Sequence, residues 1–219
     1  MRRAVVASFV LIGFGSVASA QQERASGLLL SASGGYLDVN FKESAKAVAG
    51  SSRGGTFGGD VGYVFNDHLF FTLGARVFSK DGERVFVADA GSPVFKLGFP
   101  LELKLVPAQA TIGWRFGQQR VLRVPVTPYV GVGVGVTSYR EESSVAGEAH
   151  DFSVTKAGGH GLAGVEFGGG RLRFAVEAAY SSVPNAIGDS PTGVSKIYGE
   201  KDIGSTTILG KIVFITSKR

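Results

Sequence analysis

From Gly27 onward apolar and polar residues alternate with period two almost without a break, and the 3.6-residue spacing of an amphipathic helix is scarce. The pattern predicts eight strands, over residues 27–41, 54–65, 69–79, 98–117, 122–140, 152–167, 171–182 and 203–216. Several are more than double the usual strand length of about 5–6 residues. The connections alternate in kind. Asn66-Asp67-His68, Gly117-Gln118-Gln119-Arg120 and Gly168-Gly169-Gly170 read as tight hairpin turns. Residues 42–53, 80–97, 141–151 and 183–202 read as long polar loops, and no linker divides the chain. Short and long connections in strict alternation on an even number of strands predict an all-β fold, an eight-stranded antiparallel up-and-down transmembrane β-barrel.

Alternation alone does not say which face is inside, because a soluble lipocalin-like barrel shows the same period. The stretch TPYVGVGVGVTSYR, residues 127–140, separates the two. Val124, Val126, Val130, Val132, Val134 and Val136 make one long aliphatic face. The other face carries Arg123, Thr127, Tyr129, Gly131, Gly133, Gly135, Thr137 and Tyr139. Glycine on a water-exposed face weakens a strand with no return. Inside a narrow barrel, small residues make room beside a few large polar ones. Gly131, Gly133 and Gly135 are therefore read as lumen positions and the valines as lipid-facing. A phosphate-cradling loop is excluded, since GVGVGV is not GxGxxG and no helix follows.

Aromatic residues fall in two bands. Phe65, Phe71, Trp114, Phe116, Phe167, Phe174 and Phe214 lie near the short turns, while Phe41, Phe99, Tyr139 and Tyr180 lie toward the long loops. This spacing predicts the aromatic girdles of a membrane barrel.

The polar face collects Asp60, Arg76, Glu102, Lys104, Arg115, Arg123, Lys156, His160, Glu166, Arg173, Glu177 and Lys211. Keeping that face consistent requires register breaks near Val106-Pro107 and Gly34-Gly35. Counting up from the short turns puts Asp60, Arg76, His160, Glu177 and Lys211 in one layer and Arg115, Arg123, Glu166 and Arg173 in another. Buried charges must be paired, so the first layer is expected to satisfy itself across the lumen, as packing or as a gate.

The N-terminal segment begins with Arg2 and Arg3, continues through an apolar stretch from Ala4 to about Val17, and closes on Ala18-Ser19-Ala20. It reads as a cleaved secretory signal over residues 1–20, leaving residues 21–219 as one barrel domain. No cysteine is present to staple the exported chain or to carry a lipid. The formal charge of +5 falls to +3 without Arg2 and Arg3. Its acids and bases are interspersed, which argues against a nucleic-acid partner.

These features resemble the small outer-membrane β-barrel family of OmpA and OmpX type. The likeness rests on the signal ending Ala18-Ser19-Ala20, the repeated hairpins and VTPYVGVGVGVTSYREE (126–142), with TPYVGxGxG at 127–135 most family-like. It spans residues 25–216. The resemblance implies a bacterial outer-membrane location, export through the Sec pathway, and both termini in the periplasm. The partners it implies are outer-membrane lipid, lipopolysaccharide and, during biogenesis, the barrel assembly machinery, for a monomeric protein. Two departures stand out. Phe214 is followed by Ile-Thr-Ser-Lys-Arg where family members usually end on a terminal aromatic, and the family's peptidoglycan-binding module is not expected after this barrel.

Three functions compete at this point: a non-enzymatic envelope barrel whose loops make surface contacts, a narrow pore for ions or small solutes, and a lipid A-modifying enzyme. Catalysis needs a nucleophile and a base in mutual reach. His68 and His150 fall in a turn and a loop, and His160 has Gly158 and Leu162 as same-face neighbours. No catalytic residue, metal site or cofactor is expected. Gly131, Gly133 and Gly135, with Gly158 and Gly164, leave open whether a thread of water crosses the lumen. The loops offer an acidic group (Glu141, Glu142, Glu148, Asp151) and a mildly basic one (Lys42, Lys46, Arg53) without a recognition motif.

Overall fold

The computed structural model describes residues 26–143, 152–188 and 193–216. In chain order the elements are β1 (Gly27–Val39), α1 (Lys42–Ala49), β2 (Arg53–Phe65), β3 (Leu69–Phe86), β4 (Phe95–Arg115), β5 (Gln119–Val121), β6 (Val124–Glu142), β7 (Phe152–Phe167), β8 (Leu172–Ser182), α2 (Val194–Ile197) and β9 (Ser205–Ile215). The eight long strands pair antiparallel in the order β4-β3-β2-β1-β9-β8-β7-β6, and β4 pairs with β6 to close the ring. The three-residue β5 pairs only with the start of β6. The result is a closed eight-stranded antiparallel barrel.

Along the wall, outward positions are apolar over a limited height. On β3 they run from Leu69 through Phe71, Leu73 and Ala75 to Val77, and on β6 they are Val130, Val132, Val134 and Val136. The β3 run, residues 69–77, matches the height of a transmembrane strand, about 9–11 residues. The strands β3, β4 and β6 continue well beyond it. The expected loop over residues 80–97 is thus largely strand, with only 87–94 between β3 and β4.

Beyond the apolar band the two faces exchange polarity without any shift of register. Leu101, Leu103 and Leu105 point inward and are buried, in the same alternation as Thr111 and Arg115 below them. Glu102 and Lys104 consequently face outward, not into the lumen as the sequence suggested. The β3–β4 ladder keeps one register from Leu69–Trp114 through Glu83–Pro100, and its single irregularity falls between Glu83 and Val85. No break occurs at Val106-Pro107, because a proline removes one donor without inserting a residue. None occurs at Gly34-Gly35 either, where β1 pairs continuously with β2 from Gly27–Val64 to Asp38–Arg53. Within hydrocarbon the outer face must be apolar and the inner face holds the polar groups; in water the outer face is polar and the inside is an ordinary core.

That core caps the long-loop end of the barrel. Leu37, Phe78, Leu103, Leu105 and Tyr139 from the strands meet Phe41, Ala45, Val183, Ala186, Ile187 and Ile203 from the loops. Phe41 and Tyr139 pack edge-to-face with centroids 5.3 Å apart, so neither belongs to an outer girdle. The tyrosine hydroxyl donates to Glu141, whose carboxyl burial lifts above the ordinary range. The helix α1 lies in the first connection and has no capping side chain of its own. Glu200, from the last connection, supplies one, accepting the Glu43 and Ser44 N–H groups at 2.9 Å each. Gly50 ends the helix in the left-handed region that a Cβ disfavours.

Asp202 fastens the same lid to the barrel. It accepts the N–H of Val183 at 2.7 Å, the N–H of Gly204 at 2.6 Å and the Ser182 hydroxyl at 2.7 Å. Burial opposes its charge, yet these donors hold its carboxyl below the usual range.

Two outcomes follow. Leu105→Ala should cost about 2–5 kcal/mol in urea unfolding of the detergent-folded protein, while Lys104→Ala stays within about 0.5 kcal/mol. Asp202 stabilises the folded state above the unfolded carboxylate value of about 3.9 and ceases to do so as pH falls through its lower folded value. Asp202→Asn should therefore lower thermal stability at neutral pH and flatten its decline in acid, measured by temperature scans across pH.

Candidate functional site

Below the apolar cap the lumen is filled by ionised groups from nearly every strand. On β9 the Lys211 ammonium lies 2.8 Å from Asp60 of β2 and 3.0 Å from Glu177 of β8. Arg76 of β3 approaches the other Glu177 oxygen at 3.6 Å and donates to Gln109 of β4 at 2.9 Å. The Tyr129 hydroxyl of β6 donates to Glu177 at 3.0 Å, and Ser31 of β1 donates to Asp60 at 2.6 Å. Seven of the eight long strands are thereby tied across the lumen. The eighth, β7, contributes space: a Cβ at Gly164 would lie 2.4 Å from the Tyr129 ring.

His160 enters this level without touching the acids. Its Nε2 pairs with the Thr111 hydroxyl at 2.8 Å. In the β7–β8 ladder it stands opposite Ser181, a neighbour not apparent from its own strand. The Ser181 hydroxyl instead engages Ser205, donating to its carbonyl and accepting its N–H. Gln109, Tyr129 and Ser31 are the members that a search for charges alone passes over. Tyr129 sits on the same face as the glycine run, which is the one signal that could have placed it.

A second layer closes the short-turn end. Arg115 grips Glu166 through two bonds, Nη2 to Oε2 at 2.6 Å and Nε to Oε1 at 3.2 Å, and Arg173 adds a third at 3.1 Å. Such a bidentate pair is the strongest form of charge-assisted hydrogen bond. Between the two layers lies a cavity of about 30 Å³, room for a water or two. Arg123 takes no part. The chain leaves β4 at Arg115, returns as β5 and reverses at Leu122-Arg123, so Arg123 is an exposed turn residue. The expected turn at Gly117-Gln118-Gln119-Arg120 is accordingly displaced by a few residues. Lys156 keeps an inward position on β7 but at the exposed rim.

The three glycines of β6 face inward, and the room they leave is taken by neighbours. A Cβ at Gly133 would sit 2.0 Å from the Ala110 carbonyl and 2.5 Å from His160; one at Gly135 would meet the Ala108 carbonyl at 2.3 Å. One at Gly131 would lie 2.9 Å from Thr111. The glycines let adjoining backbone and side chains close in. Among the described residues no group of His, Asp or Glu side chains is arranged to hold a metal. His150, Glu148 and Asp151 lie outside the described residues, as does the segment 1–20.

Outside, Phe65, Phe71, Trp114, Phe116, Phe167, Phe174 and Phe214 all stand exposed at the short-turn end. Phe167 lies opposite Phe174, and His68 stacks on Trp114 with ring centroids 5.3 Å apart. At the other end Tyr36, Phe57, Phe99 and Tyr180 are exposed. An apolar wall between aromatic rims, around an interior of paired ions, defines a membrane-spanning β-barrel.

The chain belongs to the outer membrane protein beta-barrel domain family, whose model matches residues 7–199. That membership places it in the bacterial outer membrane. The matched span stops short of β9, the strand that links β8 to β1. Among solved structures, Neisserial surface protein A is similar at 16% identity and a TM-score of 0.57, over 89% of this chain and 100% of that one. The N-terminal barrel of OprF from Pseudomonas aeruginosa is similar at 14% identity and a TM-score of 0.46, covering 88% and 99%. The attachment invasion locus protein Ail of Yersinia pestis reaches 14% and 0.42, covering 89% and 99%. No curated protein sequence matches the chain.

Removing one partner of a buried ion network leaves uncompensated charge. Glu177→Gln should leave Arg76 without its carboxylate and Lys211 with Asp60 alone, and destabilise the barrel by about 3–5 kcal/mol, read as a lower urea midpoint in detergent.

Proposed function

We propose that this protein is a non-conducting, non-enzymatic outer-membrane barrel that contributes to envelope structure and presents its long hairpins to contacts at the cell surface. The observation that carries this reading is the blocked lumen. The apolar cap, the Glu177–Lys211 network and the Arg115–Glu166 layer obstruct it at three successive heights. The glycine run, where a thread of water was conceivable, is occupied by His160, Thr111 and neighbouring backbone. Inside this obstructed lumen His160 Nε2 pairs with Thr111 and the Ser181 hydroxyl with Ser205, which supports a structural role over a catalytic one.

β1 starts and β9 ends at the short-turn rim, where Leu29 pairs with Ile215. With export through the Sec pathway, the short turns and both termini face the periplasm and the β3–β4 and β6–β7 extensions face outward. Its partners in this reading are outer-membrane lipid and lipopolysaccharide along the wall and the assembly machinery during insertion. No observation calls for an oligomer, and a monomer is proposed.

The test is conductance. The chain without residues 1–20, refolded and shown to be folded by its heat-shifted gel mobility, should insert into planar bilayers without discrete current steps. Reproducible steps would overturn the reading in favour of a narrow pore.

A further inference from the structure

The short-turn end has one hairpin that breaks local rules. Val121 pairs with Val124, and the two residues between, Leu122 and Arg123, have φ of 50° and 70°. A two-residue turn with both residues left-handed normally takes Asn-Gly or a similar pair. The β2–β3 turn obeys that rule, with Asn66 and Asp67 at φ of 50° and 60°. Leucine and arginine adopt this geometry at a cost. Nothing among the described residues repays it, because Leu122 is 93% exposed. Strain retained under an unburied leucine points to a contact made outside the chain.

The surroundings give the chemistry of that contact. Arg123 follows Leu122, and Arg120 lies two residues before it on the other face of the hairpin from Val121 and Val124; both arginines are exposed. Arg171 is exposed on the adjoining turn, which packs here through Gly169 against Gln118 and Pro125. None of the three arginine side chains is engaged by another described residue. Val121 and Val124 are also exposed, so the tip is cationic and apolar together.

The hairpin is continuous with the lipid-facing wall. Val126 pairs with the rim residue Phe167, and the turn lies about three residues further on. At about 3.3 Å per residue and a tilt of about 40°, the tip reaches about 8 Å past the rim. The headgroup layer of a bilayer leaflet is about 5–7 Å deep. That puts the tip at the outer edge of the headgroup layer, where the forked donors of arginine are suited to lipid phosphates.

We propose that Arg120, Leu122, Arg123 and Arg171 form a docking site for anionic phospholipid headgroups at the short-turn rim, the arginines taking the phosphate beside the exposed Leu122. That the leaflet is the periplasmic one rests on the orientation given above. The headgroup preference does not, so the two can fail separately.

Trp114 is the sole tryptophan and stands exposed on the same rim. The full barrel would be refolded into phosphatidylcholine vesicles containing, at equal mole fraction, either brominated phosphatidylglycerol or brominated phosphatidylcholine. Quenching of Trp114 should report an enrichment of the anionic lipid of about fivefold or more, diminished by high salt. The triple variant Arg120→Gln, Arg123→Gln, Arg171→Gln alters exposed side chains only. It should keep its heat-shifted mobility and lose the enrichment. Equal quenching by the two lipids, or an unchanged preference in the folded triple variant, overturns the proposal. So does capture of a protein in place of lipid by a photoreactive Leu122→benzoylphenylalanine in whole envelopes, which would assign the tip to an acidic protein partner.

Discussion

Every backbone N–H and C=O that meets hydrocarbon must find a partner within the protein, since no water is present to supply one. This sheet meets the requirement by closing on itself through the β4–β6 ladder. Closure at eight strands then fixes a lumen only as wide as the side chains that fill it. The polar interior follows from that narrowness. Groups turned away from lipid are forced together, and only sets that satisfy one another can stay there. Lys211 between Asp60 and Glu177, and Arg115 gripped by Glu166, are the solutions this chain uses.

The same constraint stops where the bilayer stops. Above the apolar band β3 and β4 run on into water, and their inner face becomes a conventional apolar core roofed by α1 and the last connection. A single strand therefore carries two opposite patterns of amphipathicity in one register. The roof is held by polar latches that reach between distant loops: Glu200 on the start of α1 and Asp202 on the ends of β8 and β9. An apolar roof over an ionic lumen stacks two environments of opposite polarity within one barrel.

At the opposite rim the economy is different. The turns are short, and most are built from residues that accept left-handed backbone. The Leu122-Arg123 turn departs from this, and its deviation coincides with the cationic, apolar edge of the lipid-facing wall. Local strain and exposed chemistry together mark a place where the fold serves something outside itself.

Period two, the alternation of connections and the glycine-valine run made the barrel, its strand number and its lipid-facing wall readable from the sequence, because those depend on which residues tolerate hydrocarbon. The sequence also brought out the acids and bases of the lumen, since charge inside a membrane has few places to go. It misplaced Glu102, Lys104, Phe41 and Tyr139 by assuming one rule of inside and outside for the whole strand. It likewise put Arg123 in the lumen by setting the β4–β6 turn too early. Which charge pairs with which, where the membrane ends along a strand, and how Glu200 and Asp202 close the roof were decided by tertiary structure alone. Those outcomes depend on ladder register between strands far apart in the chain, and on where solvent changes from lipid to water, neither of which is written in any local pattern.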